Sequence, residues 1–287
     1  MHNNNLHTIQ QYFSKQLQPA YNAQALTQLF SQLTTHITQL SKVQQLTEPN
    51  YRVTESQINS YNKAIAQLLQ HKPIQYIIGY EWFNGLKFEV NEHTLIPRPE
   101  TEELVHYIIN KYKKNTANLN CIDVGTGSGC IGISLYKNMH NANVTLCDIS
   151  SEALAIAKKN ALQNNCTVEY LTTDILNWEQ YHWESYDVVV SNPPYVMEQE
   201  KLTMHANVVN YEPHTALFVP NNDPLLFYKA IGAMAQVTLK PQGLLCVEIN
   251  EALATETAEL FTQLNFTQVT VICDMHGKQR FVSAVKL

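Results

Sequence analysis

From Asn120 onward, apolar runs of strand length alternate with helical patterns, and this rhythm limits the fold more than any other feature of the chain. The strand-length runs are Cys121–Val124, Val144–Asp148, Val168–Thr172, Asp187–Ser191, Leu244–Ile249, Val269–Ile272 and Phe281–Val285. The helical patterns are Cys130–Met139, Ser151–Asn164, Pro224–Leu239 and Ala252–Leu264. Such alternation predicts an α/β fold with a mostly parallel sheet covered on both faces, because each parallel pair needs a crossover that a helix supplies. The last two runs are joined by a short connection containing Gly277, which predicts an antiparallel strand at the C-terminus.

The chain before this region has a different period. Leu26, Leu29, Phe30, Leu33, Ile37 and Leu40 fall at helical spacing, and Ile58, Tyr61, Ile65, Leu68 and Leu69 suggest a second stripe. Thr54 followed by Gln57 predicts a capping box that opens the second helix. Asn84-Gly85 between apolar runs predicts a hairpin, since both turn positions need positive φ. Pro97-Arg98-Pro99 then interrupts regular structure ahead of a helix from Glu100 to about Lys113. The expected organisation is a helical, substrate-docking domain over 1–78, a linking β-hairpin over 79–96, and the α/β domain over 97–287.

Charge is divided unevenly. Residues 1–80 carry five basic and two acidic side chains, and the remainder carries fourteen basic and twenty-three acidic ones. Neither part is strongly basic, so attraction to a phosphate backbone is not expected to dominate, and no direct nucleic-acid partner is expected. The six cysteines lack zinc-ribbon spacing, and several sit in apolar runs, as buried thiols in a reducing compartment would. No signal peptide and no membrane-length apolar stretch is visible, so a cytoplasmic protein without a membrane partner is expected.

Asp123-Val124-Gly125-Thr126-Gly127-Ser128-Gly129 follows the first strand of the α/β region and opens a helix. Glycines there permit a tight turn and close approach of backbone to a ligand at the helix N-terminus. A glycine loop alone could serve a dinucleotide, but the spacing is G-x-G-x-G with an acidic residue in front. Asp148 ends the second strand about 20 residues on, where a carboxylate can accept from ribose hydroxyls. Asp174 follows the third strand. Either aspartate could instead be a solvated strand-end carboxylate.

Ser191-Asn192-Pro193-Pro194-Tyr195 follows the fourth strand, at the sheet edge where open α/β folds bind ligands. These residue types suit an amide or exocyclic amino nitrogen, a poor nucleophile whose lone pair is delocalised. Such a nitrogen must be held by its hydrogens so that its remaining orbital points at an electrophile such as a methyl group. The Asn192 side-chain oxygen and the Pro193 carbonyl can each accept one hydrogen. The two prolines restrict φ and remove competing N–H donors. Tyr195 offers a flat face to a planar amide or base. No general base is required before attack, because the methylated nitrogen is acidic and can lose its proton to solvent.

Asn-Pro-Pro-Tyr with this glycine loop resembles class I methyltransferases acting on planar nitrogen. Pro73–Gly79, Leu95–Glu102, Tyr211-Glu212-Pro213 with Ala216-Leu217, and Asp274–Arg280 narrow the resemblance to the peptide chain release factor N5-glutamine methyltransferases, the PrmC/HemK family. The resemblance implies a class I methyltransferase, Rossmann-like sheet and S-adenosyl-L-methionine as cofactor. It implies as protein substrate the Gly-Gly-Gln glutamine of class I release factors, methylated in support of translation termination. Cofactor contacts are implied at Gly125, Thr126, Gly127, Ser128, Gly129, Asp148 and Asn192. Asn192, Pro193, Pro194 and Tyr195 are implied as catalytic and substrate-binding residues. Ile175 stands where the family often has an aromatic over the adenine, with Trp178 shortly after; Asn250 stands where a glycine is common, and Glu248 has no assigned role. Rival readings are a ribosomal-protein glutamine methyltransferase, a nucleic-acid adenine N6-methyltransferase, and a degenerate fold kept as a binding module. The intact motifs disfavour the last, and the acidic α/β region without a target-recognition domain disfavours the second.

Overall fold

The computed structural model describes residues 4–139 and 141–287, so the first three residues of the expected helical domain lie outside the described part. The chain divides into two compact units. The first runs to Gly79 and includes 205–211; the second comprises Tyr80–Met204 and Glu212–Leu287.

The first unit holds α1 (Leu6–Leu17), α2 (Ala23–Thr38), α3 (Lys42–Thr47), α4 (Glu55–Leu69) and α5 (Ile74–Ile78). Each of the first four begins at a polar cap that satisfies an otherwise unpaired N–H. Asn5 accepts from Thr8 and Asn22 from Ala25, while Ser41/Gln44 and Thr54/Gln57 form reciprocal capping boxes. Phe13, Phe30, Leu33, Tyr61 and Leu68 fill the core. The Tyr61 hydroxyl donates to the buried Thr34 hydroxyl at 2.8 Å, so burying this ring leaves no phenol unpaired. Leu69 departs from the expected stripe and is 45% exposed. Adjacent helical positions lie about 100° apart, so Leu68 and Leu69 cannot share a face, and Ala64 takes part in the core instead.

The second unit starts with the hairpin, β1 (Tyr80–Phe83) and β2 (Leu86–Glu89), whose turn residues Asn84 and Gly85 have φ of 50° and 74°. The hairpin is not a detached linker. Phe83 and Phe88 are buried in the core of this unit. The Asn160 side chain accepts from Glu89 N–H and donates to Glu89 C=O, fixing the second strand.

There follow α6 (Pro99–Tyr112), β3 (Leu119–Val124), α7 (Cys130–Asn138), β4 (Ala142–Asp148), α8 (Ser151–Gln163), β5 (Glu169–Thr172) and β6 (Tyr186–Ser191). The chain continues through β7 (Val196–Met197), α9 (Ala206–Val209), β8 (Phe218–Val219), α10 (Leu226–Thr238), β9 (Leu239–Glu248), α11 (Ala254–Gln263), β10 (Phe266–Cys273) and β11 (Gln279–Lys286). The short helix α9 lies in the segment that belongs to the first unit, where Tyr211 Oη donates to the Gln70 carbonyl at 2.8 Å.

Seven strands form one sheet in the order β10-β11-β9-β6-β3-β4-β5, and β11 alone runs opposite to the other six. The expected class of sheet and its antiparallel C-terminal strand are both present. Successive residues of the central strands feed two separate apolar layers. Cys121, Val188 and Val190 face one layer; Ile122, Val189 and Leu245 face the other. Cys121, Cys130, Cys147 and Cys246 are buried, as expected, but Cys273 is exposed. No helix among the described residues is long and apolar enough to cross a membrane.

Register decides where the chemistry-bearing residues fall. Val124 is level with Cys147 on one side and with Ser191 on the other; Ser191 is level with Val247. The residues that follow these positions are Gly125, Asp148, Asn192 and Glu248. They therefore emerge together at the carboxyl edge. Strand order reverses between β3 and β6, so a crevice forms where open α/β sheets hold ligands.

Candidate active site

A cleft of about 490 Å³ opens at this edge, within the size range of small-molecule sites. All its lining residues, from Glu92 to Ile231, lie in the second unit. They include Gly125, Thr126, Gly127, Ser128, Asp148, Asp174, Ile175, Asn192, Pro193 and Pro194.

The glycine loop divides its labour. Gly125 and Gly127 have φ of 70° and 54°, and a Cβ at either would meet no atom within 4 Å. The space beside them is open to a ligand. A Cβ on Gly129 would instead meet Ile133 at 2.8 Å, so that glycine serves helix packing and the turn into α7.

Asp123 does not line the cleft; it lies 1% exposed beneath the loop. One of its carboxylate oxygens accepts from the Thr126 hydroxyl at 2.6 Å and the Gly132 N–H at 2.9 Å, tying loop to helix. Its other oxygen has no protein partner. Burial outweighs those two bonds and pushes the carboxyl up to about 6.

Asp148 faces the cleft. Its two oxygens accept from Gly127 N–H at 2.8 Å and Ser150 N–H at 2.9 Å, which fixes the carboxylate while leaving further lone pairs available. Burial raises its affinity for a proton against these bonds. Apolar Ile149, Ile175 and Leu176 flank it in the lining. Trp178 does not line this cleft; its carbonyl accepts from the Trp183 indole at 2.7 Å. Asp174 caps the following 3₁₀ turn by accepting from Leu176 N–H at 3.0 Å, a local structural use of that carboxylate.

Asn192 projects from the turn after β6, where Ser191 Oγ donates to the Val124 carbonyl at 2.6 Å and joins the two strand ends. Its Nδ2 donates to Thr101 Oγ1 at 3.3 Å. Thr101 in turn donates to Glu248 Oε2 at 2.6 Å. Glu248 is 2% exposed, and its other oxygen accepts from Tyr195 Oη at 2.8 Å. Tyr195 thus departs from the expected substrate-facing role. Its ring packs on the second apolar layer rather than lining the cleft, because its hydroxyl is drawn to a buried carboxylate. Burial and that carboxylate push the phenol well up, so it stays a donor.

Two further groups brace the site. Arg98 donates to Glu212, whose carboxylate also accepts from Ile96 N–H at 3.1 Å. Asn250 needs no positive φ; its side-chain nitrogen donates to the Tyr195 carbonyl at 3.1 Å and to Glu200 at 3.0 Å. Sequence reasoning gave Thr101, Glu212 and Asn250 no role. Their clustering in motif-like segments was the one available signal, because their partners lie far away in sequence.

This geometry accompanies clear similarity to known proteins. The model for the "PrmC N-terminal domain" matches residues 8–79, and that for the "Methyltransferase small domain" matches 103–214. The release factor glutamine methyltransferase of Flavobacterium psychrophilum is 46% identical over 85% of this chain and 86% of its own. That of Bacteroides thetaiotaomicron is 46% identical over 77% and 78%. The chain belongs to the release factor glutamine methyltransferase family. Family membership covers both units, since the N-terminal match spans α1 to α5 and the second runs from α6 past Tyr195. Among solved structures, a methyltransferase from Pyrococcus furiosus has a TM-score of 0.50 at 21% identity, covering 79% of this chain and 94% of that one. The 16S rRNA N2 G1207 methyltransferase of Thermus thermophilus scores 0.51 at 15% identity over 72% and 50%. At these identities the likeness is one of fold.

Proposed function

We propose that this chain transfers a methyl group from S-adenosylmethionine to the side-chain amide nitrogen of the glutamine in the Gly-Gly-Gln motif of class I release factors. The work would be cytoplasmic, with no nucleic-acid or membrane partner of its own. The observation that carries this reading is the orientation of Asn192. Its amide nitrogen is engaged by Thr101, which leaves the carbonyl oxygen as the group available beside Pro193 in a cleft shared with the glycine loop and Asp148. The names of the 46%-identical relatives support the same substrate.

The residues present fit the cofactor. Gly125 and Gly127 leave open space at the loop, the fixed Asp148 carboxylate can accept from ribose hydroxyls, and Ile149, Ile175 and Leu176 offer apolar walls to a purine. When bound, S-adenosylmethionine supplies an electrophilic methyl group on a sulfonium sulfur. The protein's task is to orient the acceptor nitrogen. Asn192 Oδ1 and the Pro193 carbonyl accept its two hydrogens, and these acceptors favour the positive charge that grows on nitrogen, an inverted oxyanion hole. Pro193 and Pro194 keep the acceptors rigid. Tyr195 serves from behind, anchoring the turn to Glu248.

The test is direct. Purified chain is incubated with S-adenosylmethionine and the class I release factors of the same organism, and the Gly-Gly-Gln peptide is read by mass spectrometry. One added methyl on the glutamine is expected, with turnover roughly 10²–10³-fold lower in Asn192→Ala. No gain while the cofactor still binds would redirect the search to ribosomal proteins and then to nucleic acid.

A further inference from the structure

An asparagine side chain has two faces of nearly equal shape and opposite polarity. Rotated by half a turn, Asn192 would point two hydrogens at an amide whose hydrogens it must accept. Something must therefore select the orientation. Thr101 has one hydroxyl proton, and at 2.6 Å from Glu248 Oε2 that proton is committed to the carboxylate. Toward Asn192 the same hydroxyl can only accept. It is then satisfied by Nδ2 and not by Oδ1. The second Glu248 oxygen is occupied by the Tyr195 hydroxyl, so both hydroxyls converge as donors on one carboxylate.

We propose that Glu248, acting through Thr101, is a positioning device that locks the Asn192 amide with its oxygen toward the acceptor nitrogen. The direction of every bond in the relay follows from each carboxylate oxygen accepting from a hydroxyl. Burial raises the affinity of Glu248 for a proton, and the two hydroxyl donors and the nearby Arg280 charge oppose that rise. No other fixed polarity is needed. A hydroxyl at position 101 without the carboxylate could pair with either orientation of Asn192, donating to Oδ1 or accepting from Nδ2, and a carboxylate without the hydroxyl would not reach it. This inference rests on the reading of Asn192 as the acceptor of the substrate's amide hydrogens.

The experiment uses the full chain. Steady-state methylation of a release factor is measured for Thr101→Val, Thr101→Ala, Thr101→Ser, Asn192→Ala and Thr101→Val/Asn192→Ala. In parallel, the Asn192 side-chain amide is followed by ¹⁵N NMR, assigned by its loss in Asn192→Ala. Thr101→Val and Thr101→Ala should lower kcat roughly 10-fold or more, with KM for S-adenosylmethionine within about twofold. Thr101→Ser, which keeps the hydroxyl, should recover most of that loss. The double variant should be no slower than Asn192→Ala, since the relay has nothing left to orient. The amide resonances should be resolved and slow to exchange in the native chain and in Thr101→Ser, and should broaden or shift in Thr101→Val. Wild-type kcat in both Thr101→Val and Thr101→Ala, or fully additive losses in the double variant, would overturn the relay. An unaltered amide signal in Thr101→Val would do the same. If Asn192→Ala itself retained turnover, the acceptor reading would fall, while the NMR comparison would still decide whether Thr101 orients the side chain.

Discussion

A buried carboxyl with one unpartnered oxygen makes Asp123 a titratable weak point under the glycine loop. Its two hydrogen bonds favour the charged form, but burial wins and the folded chain holds the proton up to about pH 6, against an ordinary value near 4. The sign follows. Between those pH values the folded state binds more protons than the unfolded state, so this group's contribution is fully present below about pH 4 and is lost as pH rises through about 6. In the cofactor-free chain, Asp123→Asn removes the titration. The unfolding free energy of the native chain minus that of Asp123→Asn should therefore fall by about 1–3 kcal/mol from pH 4 to pH 7. Denaturant midpoints at the two pH values measure this, and a constant difference would show that the carboxyl does not titrate there. Asp148 sits one strand away with the same residue type, yet its lone pairs face an open cleft and two N–H donors. Spacing singled out Asp148, about 20 residues past the glycine loop, but not the role of Asp123 beneath the loop, which shows only once Thr126 and Gly132 fold back onto it.

The elements around the cleft are joined by contacts between segments distant in sequence. The segment before α6 is held by Glu212, which accepts from Ile96 N–H and the Arg98 guanidinium while only 3% exposed itself. Arg98 keeps 35% of its side chain in solvent, so removing its partner does not strand a fully buried charge. Loss of the backbone acceptor matters more, because Ile96 is buried and its N–H has no water to turn to. Glu212→Ala should cost about 1–3 kcal/mol, and Glu212→Gln, which keeps an acceptor, should recover much of it. Thermal unfolding of the two variants checks the order; equal losses would place the weight on the ion pair. The elements that sequence patterns located share a local cause. The glycine loop, the Asn84-Gly85 turn and the Thr54/Gln57 box are each dictated within a few residues. The two-residue pairing of β7 with β8 carries too short a pattern to read, and Thr101 meets Glu248 across 147 positions, so folding alone brings them together.

At the scale of the whole molecule, labour is divided between the two units. Every residue lining the cleft lies in the second unit, so the first supplies no residue to that lining. The first unit nonetheless has its own core and four side-chain-capped helices, and the chain re-enters it at 205–211, between Tyr195 and Glu212. That re-entry was invisible to domain reasoning along the sequence, which divides a chain at single points. Its consequence is physical. Between Pro194 and Pro213, both in the cleft lining, the chain passes through the first unit at 205–211. A unit that supplies no residue to the cleft is expected to act on the protein substrate rather than on the cofactor. The expected outcome is specific. Removing residues 1–75 should leave S-adenosylmethionine affinity within about twofold, while KM for the release factor rises roughly 10-fold or more, a change worth about 1.4 kcal/mol of docking. Calorimetric titration of the cofactor and initial rates over a range of release factor separate the two. A lowered cofactor affinity would mean that the 205–211 segment, stripped of its partners, distorts the cleft walls. An unchanged KM would assign the helical unit to stability alone.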